Sequence, residues 1–345
     1  MRIPSRFRAP AGGARLATGV LAAAAVLSLA ACSAGPTAEA PAGSAEPLAQ
    51  VQVIAPADPG GGWDQTARAI VQVGVAEGLV KKAPVTNISG AGGTVGLASL
   101  ATENDPATLM VTGLVMVGAV ETNATDVRLE DTTPIARLTE EALVVVVPKD
   151  SPYTTLQELV DAIVQDGPKI AVTGGSAGGA DHILAAQLLT ESGVPAEKIP
   201  GTLNYIANSG GGEAVTMLLG GTVQAGISGV GEFAEQVEAG GLRALAVSSA
   251  EPVAALPEVP TIQDEGIDLT LTNWRGLIAP GGLDEAETAT LVDFAEQLQA
   301  SAGWQAELKT RGWDDAYLSG ADFEEFLTEN IAEVTETLGA IGLTE

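Results

Sequence analysis

Ser176, Asp181 and His182 crowd into one short stretch, TGGSAGGADHI, where Gly174-Gly175-Ser176-Ala177-Gly178 has the G-x-S-x-G spacing of a nucleophile elbow. A serine hydrolase of that type needs a base carried by a separate loop. His182 is the only histidine of the chain and falls in the helix expected straight after the turn, so it is poorly placed for that role. Gly90-Ala91-Gly92-Gly93 begins like a dinucleotide fingerprint, but Val95 stands at the third glycine position, and Glu103 and Asp105 fall in a turn instead of ending a strand. No G-K-[ST] dipeptide exists, which excludes a P-loop.

Glycine loops remain. They are Pro59-Gly60-Gly61-Gly62-Trp63-Asp64, Gly90-Ala91-Gly92-Gly93-Thr94, Gly174-Gly175-Ser176-Ala177-Gly178-Gly179 and Ser209-Gly210-Gly211-Gly212-Glu213. Each follows a strand-like run or opens a helical one. Glycine lets backbone N–H groups approach a ligand closely, and a helix N-terminus aims partial positive charge at the same place. Several such loops together predict an anion site. Gly61, Gly62 and Trp63 would form one carboxylate pocket, and Gly178, Gly179 and Ala180 the facing one, with Gly92, Gly93, Ser176, Gly211 and Gly212 nearby. Asp64 and Asp181 read as helix caps that orient the loops. His182 and Tyr205 are each either ligand contacts or core residues, and Arg275 either braces a crossover or reaches the ligand. No catalytic residue, cofactor or metal is expected: one cysteine and one histidine exclude cysteine-rich and histidine-rich metal sites.

The elements that would position these loops alternate. Val51–Ala55, 84–88, Thr108–Thr112, Leu143–Val147, 169–173, 224–227 and 243–248 read as strands. The run after Pro59 reads as a helix with Ala67, Ile70, Val71 and Val75 on one face and Asp64 at its N-cap. Amphipathic helices are expected over 284–299 and 322–338. The fold class is α/β, mostly parallel, and the 345 residues suggest about two domains.

The beginning reads as an address. Arg2, Arg6, Arg8 and Arg15 precede the apolar run Leu16–Ala31, which ends in Leu29-Ala30-Ala31-Cys32. This is the pattern of a secretory signal peptide, and the only cysteine at its end resembles a bacterial lipobox. Cleavage before Cys32, lipid attachment there and a flexible tether to residue 49 are expected. Losing the four arginines takes the formal charge from -28 to -32. That balance opposes nucleic-acid binding, because phosphate would be repelled. It does not oppose a small anion, since the local field decides a cleft. Four to six charge-assisted donors at about 1.5–3 kcal/mol each would supply the roughly 8 kcal/mol of a micromolar ligand without an arginine clamp.

The loop IAPADPGGGWDQTAR, then NISGAGGTVG, TGGSAGGADHI, NYIANSGGGEAVTMLLGGTVQAGISG, GGLRALAVSS, LPEVPTIQDEG and NWRGLIAP occur in this order. Together they resemble the substrate-binding proteins of tripartite tricarboxylate transporters, the TctC-type or Bug receptors, from about Val51 to the C-terminus. The resemblance implies a two-lobed clamshell of the type II periplasmic-binding-protein kind, with a ligand cleft between lobes. On that pattern residues 50–148 and 268–345 form one lobe and 149–267 the other, joined near Pro148 and Trp274. It also implies a monomer that captures a small di- or tricarboxylate, citrate-like acids first, and hands it to the large and small membrane subunits of a permease driven by an ion gradient. The lipobox departs from freely soluble members and implies tethering to the outer face of the cell membrane. A serine hydrolase using Ser176, and a sensor presenting ligand to a signalling partner, remain as other readings.

Overall fold

The protein is described by a computed structural model covering residues 47–344 apart from 209 and 210; the signal peptide read over 1–31, Cys32, most of the tether, and part of the fourth glycine loop lie outside the described residues. The chain begins with β1 (Gln52–Ala55), α1 (Gly62–Ala76), β2 (Val85–Asn87), a single 3-10 turn at Ala91–Gly93, α2 (Thr94–Leu100), β3 (Thr108–Gly113), α3 (Leu114–Thr122) and β4 (Thr133–Glu140). A second group follows: β5 (Leu143–Pro148), α4 (Leu156–Asp166), β6 (Ala171–Gly174), α5 (Ala180–Glu191), α6 (Ile199–Thr202), β7 (Asn204–Ala207), α7 (Gly211–Leu219), β8 (Ala225–Gly229), α8 (Val230–Glu238) and β9 (Leu242–Val247). The chain then runs through β10 (Arg275–Ala279), α9 (Glu285–Ala300), α10 (Ala302–Arg311), β11 (Asp314–Ser319) and α11 (Gly320–Ala340).

Two sheets result. One is six-stranded in the order β11-β4-β10-β3-β1-β2, the other five-stranded in the order β7-β6-β8-β5-β9. The sheets are mixed, not mostly parallel as expected. β1 pairs in parallel with β2 and β3, and β6 with β7 and β8. β10 enters between β3 and β4 antiparallel to both, and β5 lies antiparallel between β8 and β9. The reason is the crossing of the chain. A strand that arrives from the other sheet, with no returning helix in between, is free to pair in the antiparallel sense.

Leu143–Val147 illustrates why this sequence makes a central strand. All five residues are buried, four are β-branched, and the strand alternates between two packed faces. On one face Val145 shares a small apolar pocket with Leu159, Val160 and Ile163 of α4 and Leu188 of α5. Val144 and Val146 face Ala214, Leu218 and Phe233 of α7 and α8. Because this run belongs to the five-stranded sheet, the chain changes lobes between Glu140 and Leu143, ahead of the Pro148 expected. It returns through the segment ending at Trp274. The two crossing segments run side by side as a short ladder: Glu141 N donates to Asn273 O at 3.2 Å, Asn273 N donates to Glu141 O at 2.9 Å, and Ala142 bridges Thr272.

The inward stripe of α1 also differs from expectation. It runs through Trp63, Thr66, Ala67, Ile70, Val73 and Gly74, whereas Val71 is half-buried and Val75 is 45% exposed. The stripe is set by the tryptophan that starts it, and Gly74 lets the ring of Phe294 on α9 approach. Asp64 is not the N-cap. That position belongs to Gly61, and Asp64 sits three residues further in.

Candidate functional site

A cavity of about 740 Å³ lies between the two sheets, walled by strand-to-helix loops of both and by the crossing segments. The N-cap residues of α1, α2, α5 and α8 (Gly61, Gly93, Gly179 and Gly229) all line it, and none of these caps has a side-chain hydrogen bond. By contrast α4, α9 and α10, whose N-caps lie off the cavity wall, are capped by Thr155, Asp284 and Ser301. Uncapped ends are not confined to the cavity, since α3 and α11 also lack a side-chain cap, but the four that line it bring partial positive charge where it is useful to an anion.

Several loop glycines already give their N–H groups to the loops themselves. Gly60 N donates to Asp64 Oδ2 at 2.8 Å, Gly61 N to Asp58 O, Gly93 N to Gly90 O, Gly175 N to Asp181 Oδ2 at 2.5 Å, Gly178 N to His182 Nδ1 at 3.2 Å, and Gly179 N to Ser176 O. These bonds fold the loops. The N–H groups of Gly62 and Trp63 at the start of α1, and of Ala180 and Asp181 at the start of α5, have no partner among the described residues, and all four residues line the cavity. They form two facing pairs of donors from different sheets. Here glycine serves conformation and close packing. Gly93 has φ +93°, and a Cβ there would fall 2.6 Å from the Trp63 ring; Gly178 has φ +74°, and a Cβ would fall 2.5 Å from Thr122 Cγ2.

Of the expected site residues, Gly61, Gly62, Trp63, Gly92, Gly93, Ser176, Gly179, Ala180, Asp181 and Gly212 lie on the cavity wall. Asp64, Gly178, His182 and Tyr205 stand behind it, and Gly211 opens α7. Asp64 holds the first loop: it accepts from Gly60 N, from Arg68 Nε at 2.9 Å and from Asn87 Nδ2 at 2.8 Å. The bond from Arg68, aided by those from Gly60 and Asn87, lowers its carboxyl to about 2 against the cost of burial. His182 and Tyr205 hold the second loop. Their rings stack at 4.0 Å, His182 Nδ1 accepts from Gly178 N, and the Tyr205 hydroxyl donates to Gly175 O at 3.1 Å. Burial lowers His182 to about 4, so the ring is neutral at pH 7, and burial together with Asp181 raises Tyr205. His182 makes no hydrogen bond to Ser176, so the pair that nucleophilic catalysis needs is not assembled among the described residues.

The electrostatics of the far wall were not foreseen. Glu141, Ser228, Gly229, Glu232 and Asn273 line the cavity from the crossing segments and the start of α8. Gly229 was legible as one more strand–glycine–helix junction in ISGVGE; Glu141 and Asn273 carried no local signal, because their place depends on two segments distant in sequence. Arg275 lies beside Glu141. Its Nη2 stands 2.7 Å from Glu141 Oε2, both side chains are buried, and the guanidinium lies 5.2 Å over the Trp313 ring. Glu141 Oε1 also accepts from Gly231 N at 3.1 Å, so one carboxylate links β10 of the first sheet to α8 of the second. Ser228 Oγ donates to Glu232.

Two α/β lobes joined by paired crossing segments, with helix N-termini converging on the cavity between them, define a clamshell solute-binding protein. Residues 67–343 match the model of the tripartite tricarboxylate transporter family receptor, TctC, and the chain belongs to that family of extracytoplasmic receptors, which are binding proteins and not enzymes. It is similar to the protein BugT of Bordetella pertussis, 28% identical over 248 residues, 69% of this chain and 72% of that one. Among solved structures it resembles the periplasmic binding protein BugD, with TM-score 0.71 and 22% identity over 86% of this chain and 99% of that one. It also resembles MatC from Rhodopseudomonas palustris with bound malate, with TM-score 0.69 and 23% identity over 85% and 99%. No helix among the described residues is long and apolar enough to cross a membrane.

Proposed function

We propose that the protein captures a small organic di- or tricarboxylate outside the cell and delivers it to the large and small membrane subunits of a tripartite tricarboxylate permease, while Cys32 tethers it to the outer face of the membrane by lipid. The observation that carries the ligand class is the pair of facing donor sets: Gly62 and Trp63 N–H on one lobe, Ala180 and Asp181 N–H on the other. An anion charged at both ends satisfies both sets. A monocarboxylate leaves one unpaired, at about 1–3 kcal/mol for each buried donor. The malate named with the MatC structure is a dicarboxylate and agrees with this reading. Gly92, Gly93, Ser176 and Gly212 complete the wall around the ligand, and Arg275 supplies the positive charge nearest to it, shared with Glu141.

A thermal-shift panel of mono-, di- and tricarboxylates, with neutral sugars and amines beside them, tests the ligand class. Stabilisation by acids with two or more carboxyls is expected, and a preference for sugars or amines would overturn it. For the tether, Cys32→Ala should move the protein from the membrane fraction to the soluble one; unchanged membrane association would remove the lipid anchor. Uptake of the bound acid should require both permease subunits along with this receptor.

A further inference from the structure

Asp181 lies on the cavity wall at 9% exposure, beside the two N–H groups expected to hold one end of the ligand. Its Oδ2 accepts from Gly175 N at 2.5 Å, and its Oδ1 has no hydrogen-bond partner among the described residues. Arg275, the basic residue of the wall, is committed to Glu141 at 2.7 Å. The groups around Asp181 are otherwise acidic or neutral: Glu232 from α8, Glu141 from the crossing segment, the Tyr205 hydroxyl on Gly175 O, and the His182 ring of its own helix.

We propose that Asp181 meets the ligand as a neutral carboxylic acid, donating from Oδ1 to a carboxylate oxygen held by the Ala180 and Asp181 N–H groups, so that capture of the anion takes up one proton. This rests on the carboxylate reading above and sets how that same site discriminates. Two carboxylates at hydrogen-bond distance repel when both are ionised, and the pair favours the state in which one holds a proton. Oδ2 is engaged by the Gly175 N–H, so the proton goes to Oδ1. What would be repulsion becomes a charge-assisted hydrogen bond, stronger than a neutral one. Proton balance is simple: one proton passes from solvent to Asp181, and no covalent bond to the ligand forms or breaks. The unliganded protein is already poised for this. Burial first, then Glu232 and Glu141, push Asp181 up to about 7, against the lowering effect of the Gly175 N–H. A ligand cation facing Asp181 would instead keep it ionised and reverse the pH dependence.

The test is calorimetric titration with malate, succinate and adipate between pH 6 and 8, repeated in buffers of different ionisation enthalpy, with the proton each acid itself loses near pH 6 subtracted. Affinity should fall about tenfold from pH 6 to pH 8, as the acid form falls from about nine-tenths of the protein to about one-tenth. The buffer dependence should report about one proton taken up at pH 8 and little at pH 6. Asp181→Asn keeps an acceptor for Gly175 N–H and offers an N–H donor to the ligand; its affinity should be flat with pH, with no proton uptake. Should that variant lose its cooperative melt, Glu232→Gln carries the test: removing a neighbouring charge should move the midpoint of the wild-type pH profile downward. Carboxylate binding without pH dependence, proton release on binding, or an unmoved midpoint in Glu232→Gln would overturn the proton uptake and leave the carboxylate reading standing. Failure of all three acids to bind would remove both.

Discussion

At Gly62 an added Cβ would lie 2.9 Å from Nη2 of Arg275, whose guanidinium is already fixed by Glu141. A valine there must displace the guanidinium and fill the space beside two of the free donors. Gly62→Val should therefore weaken dicarboxylate binding by tenfold or more, about 1.4 kcal/mol, measured by titration. Ser176→Ala should cost much less, since Ser176 is one polar group on a wall of backbone donors. The two aspartates that fold the loops titrate in opposite senses. Asp64 is lowered to about 2, so its stabilisation is fully present above its ordinary range near 4 and is lost as pH falls toward 2. Asp181 is raised to about 7, so the folded protein binds more protons than the unfolded chain between about pH 4 and 7, and stability falls as pH rises through that window. Melting curves of Asp64→Asn and Asp181→Asn across pH separate the two: the first should flatten the acid limb, the second the limb from pH 4 to 7.

At the level of elements, helix ends differ in what satisfies their first-turn N–H groups. Asp284 caps α9 by accepting from Ala286 N and Glu287 N, while Glu287 reaches back to Asp284 N. Asp284→Ala should cost about 1 kcal/mol in a denaturant titration and leave ligand affinity unchanged, because this end is remote from the cavity. The cavity-facing ends of α1 and α5 lack such caps, so their first-turn N–H groups wait for a ligand in place of a side chain. Ligand binding should accordingly raise the melting temperature, by a stabilisation that grows with the logarithm of ligand concentration over Kd.

For the whole molecule, the crossing between lobes matters. Glu141 and Asn273 exchange backbone hydrogen bonds where the chain crosses twice between lobes, and the Glu141 carboxylate holds both Arg275 and Gly231 N. Removing one member of a buried ion pair leaves an uncompensated charge, at about 3–5 kcal/mol. Glu141→Ala should destabilise by that order in a denaturant titration. The lobes also touch where α3 and α11 of the first pack on α5 of the second, so hinge closure around a ligand would pivot on the ladder and this contact together. Small-angle scattering should show a smaller radius of gyration at saturating dicarboxylate; superimposable curves with and without ligand would count against closure.

Much of this molecule is local and therefore legible in its sequence. β-branched runs made strands, Asp284 with Glu287 marked the start of α9, and glycines after strands marked helix entries that line the cavity, because each depends on neighbours a few residues away. The ordered motifs carried the family. Tertiary structure alone decided the rest. It made the sheets mixed, since strand direction depends on how the chain returns from the other lobe. It moved the first crossing to Glu141, since the valine run was needed as a strand on the far side. It showed that several loop glycines give their N–H groups to the loops themselves and leave the next residues as donors. It also brought Glu141, Glu232 and Asp181 to one wall from three distant segments. Their shared field is a property of distance in space, which no spacing along the chain encodes.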